Sequence, residues 1–396
     1  MRYSYFSIFL FCLFICFTSK AQQYQVRSIA FEEEWETTDH HNLSLDEEGL
    51  YLSQINDAGH FQSNAIEIPF EDRLPFIALN LEWLINTEDA DPIELQIRGS
   101  VDGQRWEEWE TAKQDSHAPK IFGRYFSQMH LLDATFGYLQ FRLTISKNAS
   151  AKFRELHFHF FHPGESENSL ASGLVATALP DTCVCEAPDI LGRTDWCPVG
   201  NCPAIANPTF TEVSHLIVHH SATSNTANDW AAIVRSIWNT HVNAWGWSDI
   251  GYNWLIDPNG KLYEGRGQGI QGAHFCGTNS NTTGVCLLGN FQLTPPSNDA
   301  QKTLQQFLSW QSCLEGIDPL GTSFHNSSNL TLNQISGHRD GCSTECPGDS
   351  FYPLFNGIRQ GVQNYIDINC STTSTCLLYT SPSPRDRTRS RMPSSA

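Results

Sequence analysis

Leu216-Ile217-Val218-His219-His220 and the later run Gly337-His338-Arg339-Asp340, followed by Thr344-Glu345-Cys346-Pro347-Gly348-Asp349, decide how the second half of this chain reads. The first is an apolar, strand-type run that ends in two imidazoles. The second places an imidazole and a thiol eight residues apart. Two imidazoles and one thiolate suit Zn²⁺ and leave its fourth tetrahedral position open to water, an arrangement that is hydrolytic more often than structural. Side chains alternate faces along a strand, so only one of the paired histidines can reach the metal. His215, Ile217 and His219 share one face, and Leu216, Val218 and His220 the other. The strand alone does not choose between them.

Around these runs, strand and helix signals alternate. Asn228 is placed to cap a helix running to about Ala244, with Ile233, Val234, Ile237 and Trp238 on its buried stripe. Tyr252–Ile256 and Lys261–Glu264 flank Asp257-Pro258-Asn259-Gly260, a hairpin turn. Thr283–Leu288 reads as a strand, and Asp299–Leu314 and Leu354–Ile366 as helices. The expected architecture is a mixed α/β domain over 183–370, with a central sheet flanked by helices.

Residues 22–162 have a different texture. Ala65–Ile68, Glu94–Arg98, Leu139–Leu143 and Leu156–Phe160 show period-two alternation between turn signals, which predicts an all-β sandwich accessory domain. Ile97–Trp109 resembles the Ser-x-Asp-Gly…Trp hairpin of discoidin-like accessory domains. Trp106 and Trp109 are expected to fill the sandwich core, with a glycan contact through this domain as the alternative. His157, His159 and His162 alternate along one strand and read as a solvated face. Residues 163–182 are small, polar and aperiodic, a linker.

Residues 1–21 carry a positive start, an apolar run over Ile8–Phe17 and small residues near Ala21, the pattern of a cleaved export signal. The run is too short to span a bilayer. Residues 376–396 resemble the conceptual translation of a sequencing adaptor, and the natural chain is expected to continue past Thr375. The net charge is −19; with the +2 leader and +3 tail set aside, −24 remains. Nucleic acid and anionic membrane surfaces would repel such a chain. A secreted, periplasmic or extracellular protein is expected. Of 13 cysteines, three fall in the two ends. With Cys346 reserved for metal, nine remain: Cys183, Cys185, Cys197, Cys202, Cys276, Cys286, Cys313, Cys342 and Cys370. Disulfides are expected among them, in preference to a zinc knot at Cys183–Cys202, with Cys370 the one lacking a partner.

Six motifs recur in a recognisable order: Ile-Val-His-His-Ser-Ala (217–222), Asp-Ile-Gly-Tyr-Asn-Trp-Leu-Ile (249–256), Gly-Lys-Leu-Tyr-Glu-Gly-Arg-Gly (260–267), Gly-Ala-His (272–274), Gly-Val-Cys-Leu-Leu-Gly-Asn-Phe (284–291) and the His338–Asp349 segment. Together with Arg193 and Trp196 they resemble the peptidoglycan recognition protein and type 2 N-acetylmuramoyl-L-alanine amidase family, over about residues 190–367. The resemblance implies one catalytic Zn²⁺ held by His219, His338 and Cys346. It implies Tyr252 and Thr344 as catalytic hydrogen-bonding residues, with Arg266 and His274 on the substrate side. The bond implied is the lactyl–L-alanine amide of peptidoglycan or muropeptides. Cys197 stands where the family has glycine. Gly267-Gln268 stands where members acting on diaminopimelate stems often have Gly-Trp.

Several residues carry plainer expectations. His220 is a hydrogen-bonding residue behind the ligand, Trp245 and Trp247 are core or groove wall, His241 is on a helix surface, and His325 lies in a polar loop. The rival to an amidase is a recognition module that binds peptidoglycan without cutting it; catalytically silent members of the family commonly lose the cysteine, which is present here. A third reading has a structural zinc and an adhesive N-terminal sandwich. A zinc endopeptidase is disfavoured, because no His-Glu-x-x-His occurs.

Overall fold

The computed structural model describes residues 22–166, 185–198 and 200–370. The export signal, all but the first residues of the linker, Cys183 and the adaptor-like tail lie outside the described residues.

Residues 23–162 form two sheets in which every strand pair is antiparallel. The two long strands Ile77–Ile85 and Phe153–His162 lie side by side in one sheet, and Ile93–Ser100 and Tyr138–Ile145 in the other. Alternation sends Leu79, Leu81 and Trp83 from the first sheet, and Leu95, Phe141 and Leu143 from the second, into one shared core. Trp106 and Trp109 are not in that core. Both are half-buried, with the Arg98 guanidinium carbon 5.2 and 4.2 Å from their ring centroids and Arg142 4.6 Å from Trp109. The expectation that they fill the sandwich is corrected: these indoles pair with cations outside the core.

The face of Phe153–His162 that reads as solvated is a second correction. His159 and His162 are buried, and only His157 keeps appreciable exposure. The strand Ile77–Ile85 is likewise buried on both faces. Its second face, with Phe76, Ala78 and Phe161, packs on the helix Trp230–Asn239 through Trp230, Ile233 and Trp238. Polar groups on this face are paired rather than hydrated. Thr240 Oγ1 donates to Asn80 Oδ1 at 2.7 Å, and His159 lies between Glu82 Oε2 (2.8 Å) and Tyr24 Oη (2.6 Å). Arg235, almost fully buried, donates to the carbonyls of Pro163 (2.7 Å), Gly164 (2.9 Å) and Trp196 (2.6 Å).

The second half is built on a six-stranded sheet in the order Ile190–Leu191, Leu262–Glu264, Trp254–Ile256, Thr282–Leu287, His215–His220, Ile335–Gly337. Only the Asp257–Gly260 hairpin pair is antiparallel. Leu216, Val218, Trp254, Ile256 and Leu287 pack on the helices Asn298–Glu315 and Phe355–Asn369. Leu255, Cys286 and Tyr263 face Trp230–Asn239 on the opposite side. A sheet of mostly parallel strands has to be covered on both faces, and these helices cover it. Asp229 rather than Asn228 caps the first helix, accepting from Ala232 N at 2.9 Å, and the helix continues as a π-turn over Thr240–Ala244. Arg193 grips Asp249 with two bonds of 3.0 and 2.8 Å, and Trp196 Nε1 donates to Glu264 O at 2.8 Å. Disulfides join Cys185–Cys370, Cys197–Cys202 and Cys276–Cys342. Cys370 therefore has a partner, contrary to expectation, and among the described residues the free thiols are the buried Cys286 and Cys346.

Candidate metal centre

Three parallel strands end on one side of the sheet. His219 leaves the central one, on the face shared with Ile217, while Leu216 and Val218 enter the helix-covered core. His338 follows directly on Ile335–Gly337, in a short helical turn whose Asp340 Oδ2 accepts from Gly337 N at 2.8 Å. The loop then returns Cys346 beneath the first strand. Its Sγ lies 3.3 Å from His220 N and 3.8 Å from His219 Nδ1.

A fourth residue joins them. One ligand atom from each of His117, His219, His338 and Cys346 lies within 4.8 Å of all the others. His338 Nδ1 and Nε2 and His117 Nε2 are buried without a hydrogen-bond partner. An unsatisfied buried polar atom costs about 1–3 kcal/mol. Three imidazoles and a thiol of this kind fit a tetrahedral Zn²⁺.

Burial pushes His219 and His338 well below the usual imidazole range, and neighbouring imidazolium charge pushes the same way. Burial brings His220 and His274 down to about 3. It opposes charge on His117 too, yet Asp115 and Cys346 outweigh it and hold this imidazole up at about 10. The outer contacts are ordered. His219 Nε2 faces His274 Nδ1 at 3.1 Å, so a hydrogen on Nε2 leaves Nδ1 free on the Cys346 side. A Cβ on Gly284 or Gly272 would fall 2.5 or 2.3 Å from the His274 ring, so that ring sits where only glycines leave room. His220 Nδ1 accepts from Phe291 N at 3.3 Å.

A cavity of about 520 Å³ opens on the cluster, lined among others by His117, His241, Tyr252, His274, His338 and Thr344. Tyr252 is buried, its ring centroid 5.3 Å from that of His219. Burial, with Cys286 and Cys346, pushes its hydroxyl well above the usual value. Thr344 Oγ1 accepts from Cys346 N at 3.1 Å and meets Ser116 Oγ at 2.8 Å. Arg266 is not brought to this cavity: its guanidinium donates to the carbonyls of Ile250 (2.7 Å), Gln271 (2.8 Å) and Asp249 (3.4 Å). Trp247 lines the cavity, and Trp245 packs on it edge to face. His241 is buried rather than on a helix surface; it accepts from Gly251 N at 2.9 Å and packs against Tyr252. His325 is buried too, with Nε2 2.7 Å from Ser280 O.

Sequence reasoning missed His117. Its only local signal was Asp115 two residues earlier, in a turn-rich segment between short strands.

The sheet, its flanking helices and the His/Cys cluster at the strand ends define a mixed α/β domain whose buried side chains could hold a metal ion. Comparison with known proteins agrees: the N-acetylmuramoyl-L-alanine amidase family profile matches residues 209–349. Peptidoglycan-recognition protein SC2 of Drosophila melanogaster is 32% identical over 174 residues, which is 43% of this chain and 84% of that protein. Human N-acetylmuramoyl-L-alanine amidase is 32% identical over 173 residues, 42% of this chain and 28% of that one. Among solved structures, wild-type Drosophila PGRP-LB aligns at 26% identity over 42% of this chain and 92% of that one, with a TM-score of 0.36. The chain belongs to the peptidoglycan-recognition protein and N-acetylmuramoyl-L-alanine amidase family.

Proposed function

We propose that the chain is an exported, zinc-dependent N-acetylmuramoyl-L-alanine amidase that hydrolyses the lactyl–L-alanine amide of peptidoglycan. The observation that carries this reading is Cys346, placed with His219 and His338 so that one ligand atom of each lies within 4.8 Å of the others. A zinc ion held by these residues would supply Lewis-acid polarisation of the scissile carbonyl and acidify water at neutral pH. The chain's own groups do the rest. The Tyr252 hydroxyl, kept protonated by burial, donates toward the carbonyl oxygen as negative charge develops on it. The Thr344 hydroxyl, set by its bond from Cys346 N, offers a second donor at the cavity wall. His274 fixes the tautomer of His219. The disulfides suit an oxidising compartment, and no helix among the described residues is long and apolar enough to cross a membrane. We read 22–162 and 183–370 as the two domains, with 163–182 between them.

A second reading, a module that binds peptidoglycan without cutting it, draws on one observation: a ligand atom of His117 lies within 4.8 Å of those of His219, His338 and Cys346, so this imidazole would compete with a reacting water for a metal held there. The test counts new L-alanine amino termini released from a MurNAc-peptide by zinc-loaded protein, both wild type and His117→Ala. Release that a chelator and Cys346→Ala both abolish supports the amidase. No release from either folded, zinc-loaded protein refutes it and leaves the binding module.

A further inference from the structure

The segment 112–123 crosses from the strand Glu110–Thr111 of one N-terminal sheet to Arg124–Phe126 of the other, and between them it reaches over the metal centre. It is a built loop. Ala112 is anchored in the N-terminal core, Asp115 N donates to Phe126 O at 2.8 Å, and Gln128 N donates to Lys113 O at 2.7 Å. At its tip, Asp115 Oδ1 accepts from His117 N at 2.8 Å and lies 2.9 Å from His117 Nδ1. In the neutral ring, the form a metal takes in exchange for a proton, a carboxylate on Nδ1 leaves the lone pair on Nε2, as in the carboxylate–histidine–metal arrangement of metalloproteins. That Nε2 is buried, has no hydrogen-bond partner, and points into the cluster of His219, His338 and Cys346. The His117 ring centroid lies 5.0 Å from that of His338, nearly parallel to it, and 6.3 Å from that of His219.

We propose that His117 Nε2 is the fourth protein ligand of the centre, and that the 114–120 loop thereby holds the folded chain in a closed, latent form. The proposal rests on the zinc reading above and goes beyond it. Ligand atoms of a tetrahedral zinc with three nitrogens and one sulfur lie about 3.3–3.7 Å apart, and the pair measured directly, His219 Nδ1 and Cys346 Sγ, is at 3.8 Å. With His117 seated, no coordination position is left for water or for a substrate carbonyl. The loop blocks the groove in a second way. Ser116 Oγ lies 2.8 Å from Thr344 Oγ1, the hydroxyl assigned to the substrate. His117 is also a shared wall between the 520 Å³ cavity and a neighbouring one of about 530 Å³ that reaches Cys346 from the other side. Withdrawal of the loop would free the fourth position, release Thr344 and merge the two cavities in one step. His117 lies outside the family-matched residues 209–349, so this closure belongs to the N-terminal half of this chain.

The experiment is X-ray absorption at the zinc edge on the full zinc-loaded chain, beside His117→Ala and Asp115→Ala. It is paired with zinc affinity by chelator competition, absorption of the Co²⁺-substituted proteins, and turnover of a MurNAc-peptide. The wild-type measurement needs no variant to fold. Three imidazoles and one sulfur are expected for wild type, and two imidazoles, one sulfur and one light oxygen-type atom for His117→Ala. Zinc affinity of His117→Ala should fall at least about tenfold, the lower bound for losing even an outer contact, while turnover rises. Two imidazoles with an oxygen in the wild type, or unchanged Co²⁺ spectra and zinc affinity in His117→Ala, would overturn the proposal. An opened sphere in His117→Ala without turnover upholds the ligand and refutes the amidase reading instead.

Discussion

Gly284→Ala is a one-methyl test of how His219, the proposed zinc ligand, is held. Gly284 lies on Thr282–Leu287, and a Cβ built there would be 2.5 Å from His274 Cδ2 and 2.6 Å from its Cγ. To reach an ordinary contact of 3.4 Å the ring has to retreat by about 0.9 Å. Its retreat is hindered on the Gly272 side, where a Cβ would stand 2.3 Å from the same ring. The shift takes His274 Nδ1 from 3.1 Å toward about 4 Å from His219 Nε2, outside hydrogen-bond reach. Overpacking of this kind costs about 1–3 kcal/mol of stability. Loss of the outer bond costs about 10–100-fold in metal affinity, or about 1.4–2.7 kcal/mol. The assay is zinc competition against a chromophoric chelator, with thermal unfolding alongside. Gly357→Ala is the control: it sits in the helix Phe355–Asn369 with nothing within 4 Å of its Cβ. It should stabilise by up to about 1 kcal/mol and leave zinc binding alone. Wild-type zinc affinity in Gly284→Ala would refute the claim that His274 holds the ligand.

Cys346→Ala should bring zinc content after gel filtration to background and, in the His117→Ala background, abolish the turnover of the opened site, while circular dichroism stays native; retained zinc would remove Cys346 from the ligand set. Arg235→Met leaves the carbonyls of Pro163, Gly164 and Trp196 without its three bonds, and at about 1–3 kcal/mol for each buried group should cost roughly 3 kcal/mol or more. Urea unfolding measures this, and a loss under about 0.5 kcal/mol would contradict the packing described. Burial raises the pKa of Glu82, but the bond from His159 and the charge of Arg124 outweigh it and leave the carboxyl below its usual range. A depressed carboxyl stabilises the fold above its unfolded pKa and loses that contribution as pH falls through the folded one. The stability gap between wild type and Glu82→Gln should therefore be full at pH 7 and shrink below about pH 4; a gap independent of pH would show that Glu82 acts through packing alone.

The part of the site carried on strand ends was legible in the sequence. The His219-His220 pair, His338 and Cys346 are each marked by a short local run; alternation along His215–His220 reduced the choice to one of the pair, and the family resemblance, not the strand, chose His219. The hairpin at Asp257–Gly260 and the three helices of the second half were legible for the same reason, since their signals are local. His241 was misread on polarity, although its spacing of three and four from Trp238 and Ile237 puts it on the buried stripe of the helix. The face formed by Asn80, Glu82, His157 and His159 could not be read locally at all. A polar row on a strand looks the same whether it meets water or a set of matching groups. Here Thr240, Arg124 and Tyr24 supply those groups to Asn80, Glu82 and His159.

That paired face is also what allows His117 to matter. A loop tip reaching a metal has to be placed to within a fraction of an ångström, and apolar packing alone, which is non-directional, tolerates sliding. The contacts across this interface are directional. Thr240 meets Asn80, Tyr24 donates to Asn243 O at 3.3 Å, and Arg235 holds the carbonyls of Pro163 and Gly164 where the first half ends. They lock the register between the strand Ile77–Ile85 and the helix Trp230–Asn239. The strand in turn pairs with Arg124–Phe126, the strand into which the loop returns. Each link in the chain from helix to strand to loop to imidazole is therefore hydrogen-bonded. Buried polar pairs at a domain boundary add little net stability compared with apolar packing. Under the proposed ligation, their placement has a use: it fixes the position of His117 Nε2 against the cluster of His219, His338 and Cys346.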